Sequence, residues 1–176
     1  MKIEQGKTLE GLKVAIQMEI DGKEYYRQAS QESSDELGKK LLASLADEED
    51  IHRQKFEEIY NAIRNNKGWP VTDFQPDKGK KLKTLFAMAV EKTATRVKAS
   101  EVKLDAIQTA VDMEIKTYDF YQKLGKNATY DAERSFYQLL AAEEREHHLV
   151  LLDYYEYFKD PASWFGAREH VSLDGG

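Results

Sequence analysis

Glu49-Asp50-Ile51-His52 and Glu144-Arg145-Glu146-His147 are two copies of one Glu-x-x-His pattern set 95 positions apart, and the glutamates Glu19 and Glu114 repeat at that same offset. Residues three apart on a helix share a face, so each Glu-x-x-His can grip a metal ion. The duplication supplies four carboxylates and two imidazoles. Mostly oxygen donors with one imidazole per ion suit iron or manganese better than copper, and zinc ordinarily takes fewer carboxylates or some thiolate. The expected cofactor is two iron ions in one dinuclear, carboxylate-bridged site, with manganese or zinc as alternatives. Glu49 and Glu144 are the expected bridges. Glu19 with His52, and Glu114 with His147, complete the terminal positions, unless the terminal pairing is crossed.

Tyr26 and Tyr121 each follow a ligand glutamate by seven positions, two turns along the same face. They are candidates to hydrogen-bond a carboxylate or relay an electron; ordinary core packing is the competing reading. Tyr25, Tyr118, Tyr154 and Tyr157 are read as packing or interface residues. Glu48, Glu143 and Glu146 stand beside the ligands but are rotated away by about 100 degrees or more, which assigns them to a solvated face. His148 is likewise off the ligand face, and His170 lies in the C-terminal tail.

Helices must position these groups. Leu9, Leu12, Val14, Ile16, Ile20 and Tyr26 recur at helical spacing, and Ser33-x-x-Glu36 reads as a capping box that opens a second helix. Leu41, Leu45, Phe56, Ile59 and Ile63 carry that helix to a stop at Asn65-Asn66-Lys67-Gly68. A crossover, about 67–99, follows; it contains Trp69-Pro70 and Gln75-Pro76 and is itself partly helical, with Lys78, Lys80, Lys81 and Lys83 as a solvated helix start or loop. Ser100-Glu101 starts a third long helix to about Leu124, and a fourth runs from the turn at Gly125–Thr129 to about Phe158. An irregular tail spans about 160–176. Glu19 and Glu49 lie about 14 and 15 residues from the first turn, as do Glu114 and Glu144 from the second, so each hairpin brings its ligands to mid-height. The constant shift of 95 also matches Ala15 with Ala110, Met18 with Met113, Ile20 with Ile115, Ala46 with Ala141 and Tyr60 with Tyr155.

The 176 residues are expected to form one domain, with the bundle at about 8–158. A net charge of −6 leaves no basic excess for nucleic acid, and no run of about 18 apolar residues offers a membrane span. The N-terminus lacks a signal-peptide core, so a soluble cytoplasmic protein is expected. With no cysteine, thiolate zinc sites, iron–sulfur clusters and four-cysteine iron are excluded from these residues.

The doubled Glu and Glu-x-x-His pattern, with the long crossover after helix two, resembles the ferritin-like superfamily, and most closely the diiron domain of the rubrerythrins and their short relatives. The likeness covers about residues 8–158. It implies an all-α, ferritin-like four-helix bundle made of two repeated antiparallel hairpins. It also implies a non-haem diiron centre that reacts with peroxide or dioxygen, here as a peroxide reductase in oxidative-stress defence. Electrons would come from an external donor protein, and a helix-mediated homodimer is expected. Two features depart from the rubrerythrin pattern: no cysteines for a rubredoxin module, and Thr117 where an extra glutamate usually follows the third-helix ligand. The alternatives are a ferroxidase of the ferritin type and a metal-stabilised helical interaction module without catalysis.

Overall fold

A computed structural model describes residues 2–71, 73–93 and 104–173. Among them the chain is all helix with no strand: α1 (Lys2–Glu32), α2 (Glu36–Arg64), α3 (Lys80–Thr93), α4 (Leu104–Lys126), α5 (Asp131–Lys159) and α6 (Pro161–Leu173). α1 packs chiefly on α2 and α4 on α5, which gives two hairpins, while α3 lies against α2 and α5 on the way between them. The expected start of the third long helix at Ser100-Glu101, and Val97 before it, lie outside the described residues. So does the side chain of His170.

Local chemistry explains the boundaries. α2 is capped by Asp35, whose Oδ1 accepts from the Gly38 N–H at 2.7 Å, while Ser33 Oγ braces the Asp35 carboxylate at 3.0 Å. The cap is thus two residues later than the Ser33 box predicted, because the charged Asp35 carboxylate, a stronger acceptor than a hydroxyl, takes the orphan donor. α2 stops where Asn66 and Gly68 adopt positive φ (58° and 71°). At the head of α5, Glu133 reaches back to accept from the Thr129 N–H (3.1 Å).

The tail corrects the sequence reading. Residues 161–173 form α6 rather than an irregular strand of chain, because Asp160 acts as an N-cap for Ser163, accepting from its N–H (3.0 Å) and hydroxyl (2.6 Å), and Pro161 takes the first helical position. A proline read only as a stop was also a start. Trp164 and Phe165 of α6 then close one end of the bundle against Phe86 and Tyr157.

Two apolar cores result. One gathers Tyr26, Leu41, Leu45, Phe86, Val111, Leu151 and Tyr157 near the α1–α2 turn; the other gathers Leu12, Phe56, Ile59, Tyr121, Phe136 and Leu140 at the opposite end. Between them, at mid-height, lies a layer of buried charge.

Candidate metal centre

Glu19 projects from α1, Glu49 and His52 from α2, Glu114 from α4, and Glu144 and His147 from α5, and none of the six is more than 4 % exposed. One donor atom each from Glu19, Glu49, His52 and Glu144 fall within 4.8 Å of one another, and so do one each from Glu49, Glu114, Glu144 and His147. Glu49 and Glu144 belong to both groups. Glu144 divides its oxygens, with Oε1 3.2 Å from His52 Nδ1 and Oε2 3.6 Å from His147 Nδ1. His52 Nδ1 lies 3.5 Å from Glu19 Oε2, and His147 Nδ1 3.7 Å from Glu114 Oε2. The terminal residues therefore group within hairpins, without crossing. The two imidazoles stack 5.8 Å apart, nearly parallel.

These groups fit a metal pair. Glu19 Oε2, Glu49 Oε1, His52 Nδ1, Glu114 Oε2, His147 Nδ1 and both Glu144 oxygens are buried without a hydrogen-bond partner. An unpartnered buried charge is costly, and natural proteins rarely leave one without a ligand or ion to meet it. Here seven such atoms converge. The donor set, oxygen with one nitrogen on each side, is that of hard or borderline divalent cations.

The electrostatics express the same conflict. Burial and repulsion from Glu144 push the Glu49 and Glu114 carboxyls well above the usual range. Burial opposes a charged imidazole at His52 and His147, but Glu19 and Glu144 around the first, and Glu114 and Glu144 around the second, outweigh it and raise both. Burial also works against ionised Glu144, yet the flanking His147 and His52 rings hold it well below its ordinary value. Without cations, the layer keeps protons that it would otherwise lose.

Tyr26 and Tyr121 both hydrogen-bond carboxylates of the cluster. Each phenol reaches across to the other hairpin: Tyr26 donates to Glu114 Oε1 and Tyr121 to Glu19 Oε1. Burial first, then the neighbouring carboxylates, raises both phenols well above their ordinary range. Thr117, one turn beyond Glu114, turns its hydroxyl back onto the Met113 carbonyl (3.1 Å) and adds no carboxylate.

The solvated face assigned to Glu48, Glu143 and Glu146 is overturned. Glu48 Oε2 sits 2.8 Å from His147 Nε2, and Glu143 is buried and accepts from the Lys78 N–H at 2.7 Å. Glu146 is half-buried and pairs with Lys83. The crossover and α3 lie over that side of α5, which a single helix's periodicity does not reveal. The side chains of Lys78, Lys80, Lys81 and Lys83 are exposed, as expected, with Lys83 pairing with Glu146 from the surface. His148 faces α4, with Nδ1 3.4 Å from the Val111 carbonyl, and stays off the centre. Tyr154 and Tyr157 are core residues, Tyr154 donating to Asp35 Oδ2 (2.8 Å). Two neighbours of the centre had no signal in the ligand pattern. Phe74 of the crossover meets the His52 ring edge-on at 5.6 Å, and Gly22 of α1 lies so close to Glu49 that a Cβ there would stand 3.1 Å from Glu49 Oε2.

A helical bundle whose core gathers a glutamate from each of two helices and Glu-x-x-His from each of two others belongs to the ferritin-like class of carboxylate metal-site proteins. The rubrerythrin family model matches residues 10–155, and the chain belongs to the rubrerythrin family. No curated protein and no solved structure matches it. No helix among the described residues is long and apolar enough to cross a membrane.

Proposed function

We propose that the protein is a non-haem diiron-carboxylate redox enzyme that reduces hydrogen peroxide to water, with electrons delivered by a separate donor protein. The convergence of seven unpartnered donor atoms from Glu19, Glu49, His52, Glu114, Glu144 and His147 supports this reading, together with membership of the rubrerythrin family. Two ferrous ions bound there would supply the two electrons that break the O–O bond, one from each ion. Glu49 and Glu144 face both positions and offset the positive charge of a pair. Tyr26 and Tyr121 hold Glu114 and Glu19 in place and keep a proton beside each. The two apolar cores exclude water from above and below. With no cysteine in the 176 residues, a thiolate-held iron within them cannot return the electrons, so in this reading they come from outside these residues.

The test is metal analysis of protein from iron-supplemented cells, followed by visible spectra of the reduced form mixed with peroxide or with air. About two irons per chain and oxidation faster with peroxide than with air are expected. Oxidation by air with peroxide inert would move the assignment to ferroxidase chemistry, and a single redox-inert ion would make the site structural.

A further inference from the structure

The geometry points to Glu48 as a positioning residue that makes the two metal positions unequal, so that the Glu114–His147 position binds a divalent cation more tightly than the Glu19–His52 position; this rests on the dinuclear reading above. Both histidines turn Nδ1 toward the centre. They differ at the other ring nitrogen. His147 Nε2 lies 2.8 Å from Glu48 Oε2, so a ring that offers the Nδ1 lone pair to a cation donates its Nε2–H to a carboxylate. That bond fixes the tautomer and the ring plane and makes Nδ1 a better donor. The His52 ring packs edge to face against Phe74 instead, 5.6 Å between ring centroids.

The repeat makes the difference specific. Glu143 stands at the position equivalent to Glu48, yet its Oε1 accepts from the Lys78 backbone N–H at 2.7 Å. Glu143 also has an oxygen within 4.8 Å of the Glu48 and His147 donor atoms, which adds negative charge behind His147. The cause is the crossover. Two hairpins can be related by a two-fold axis, but one chain has only one connection between them, and it must pass over one face. It does so through a turn with Lys78 at φ 59° and Gly79 at φ 66°, tight enough that a Cβ on Gly79 would stand 2.9 Å from Glu146 Cβ. That turn captures Glu143, leaving Glu48 as the one of the pair that hydrogen-bonds a histidine.

The experiment titrates the metal-free, full-length protein with cobalt(II), followed by visible absorption and calorimetry. Two unequal steps are expected, the tighter carrying a slowly exchanging, paramagnetically shifted imidazole N–H in the proton spectrum. E48Q weakens the tighter step about 10- to 100-fold, abolishes the slow exchange and leaves the weaker step in place. E48D, which keeps the charge, restores part of the loss, and E143Q preserves the order of filling. Circular dichroism of each metal-free variant separates these effects from misfolding. Two steps that E48Q leaves unchanged would overturn the role of Glu48 while sparing the dinuclear reading. A third bound ion lost equally in E48Q and E143Q would overturn it in favour of a separate cation site. Uptake of only one ion by the unsubstituted protein would overturn the dinuclear reading itself.

Discussion

Removing metal with a chelator leaves six ionisable groups sealed between two apolar cores, and the stability of that form is expected to fall as pH rises from about 6 to about 8. Glu49 and Glu114 are raised by burial and by Glu144, and His52 and His147 are raised by their carboxylate partners against the pull of burial. A group raised on folding binds more protons folded than unfolded. The stability it contributes is complete below its unfolded value, 4.5 for the carboxyls and 6.5 for the imidazoles, and is lost as pH climbs toward the folded value. All four act in one direction across this window. Glu144 is lowered, so its contribution is present above 4.5 and lost only in stronger acid, outside the window. Each proton held in excess costs about 1.4 kcal/mol per pH unit, so a single one removes about 2.7 kcal/mol over two units. For a chain of this size that lowers Tm by roughly 5–11 °C. Metal-loaded protein should show the opposite trend, because a cation must displace those protons and binds more tightly as pH rises. Melts of chelated and loaded protein by circular dichroism, at matched ionic strength, measure both slopes. A metal-free Tm that is flat or rises between pH 6 and 8 would refute the claim that the layer retains protons.

Tyr121→Phe strands the buried Glu19 Oε1 and should cost about 1–3 kcal/mol in denaturant melts, with weaker metal binding; unchanged stability and affinity would refute the role of the phenol. Phe56→Ala, in contact with Tyr121, Phe136 and Tyr137, should cost about 3–5 kcal/mol, and a loss below 1 kcal/mol would mean that this core collapses into the gap. Gly22→Ala should strengthen α1 by up to about 1 kcal/mol in the metal-free protein while pressing on Glu49, so that melting improves and metal affinity falls; parallel changes would refute the contact. Gly79→Ala meets both a positive φ and the Glu146 Cβ, and should destabilise by more than about 1 kcal/mol in the same melts.

The ligand faces were legible because a 3.6-residue period makes Glu49 and His52, or Glu144 and His147, neighbours whatever surrounds them, and the shift of 95 shows the pattern twice. The hairpins followed from the same period and from turn chemistry at Asn65–Gly68 and around Thr129. What was not legible depends on neighbours from distant sequence. Glu48 and Glu143 are correctly rotated away from the ligand face, but one turns toward His147 of α5 and the other toward the crossover backbone. An angle on one helix cannot say which element stands beside it. The α6 error was local instead: Asp160-Pro161 carries a cap and a first-turn proline as well as a stop, and Trp164 with Phe165 supplies the apolar reason to dock.

The crossed tyrosines bear on how the fold and the centre depend on each other. Spacing placed Tyr26 on the face of Glu19 and Tyr121 on that of Glu114, yet each phenol partners the opposite hairpin's glutamate. Each terminal carboxylate thus accepts its phenol hydrogen bond from the other hairpin. α1 and α4 otherwise meet sparsely, their main contacts being with α2 and α5. The two phenol bonds, with Glu49 and Glu144 facing both halves, are therefore a principal link across the bundle at mid-height, where no apolar packing substitutes for them. Cations bound there would hold all four long helices at once, whereas without them only the two phenol bonds and the protons retained by the layer span the same seam. Loss of metal should thus loosen hairpin from hairpin before it loosens either hairpin internally. Amide exchange in chelated protein should rise first where α1 faces α4 beside Glu19 and Glu114, while the α1–α2 and α4–α5 contacts away from the centre stay protected.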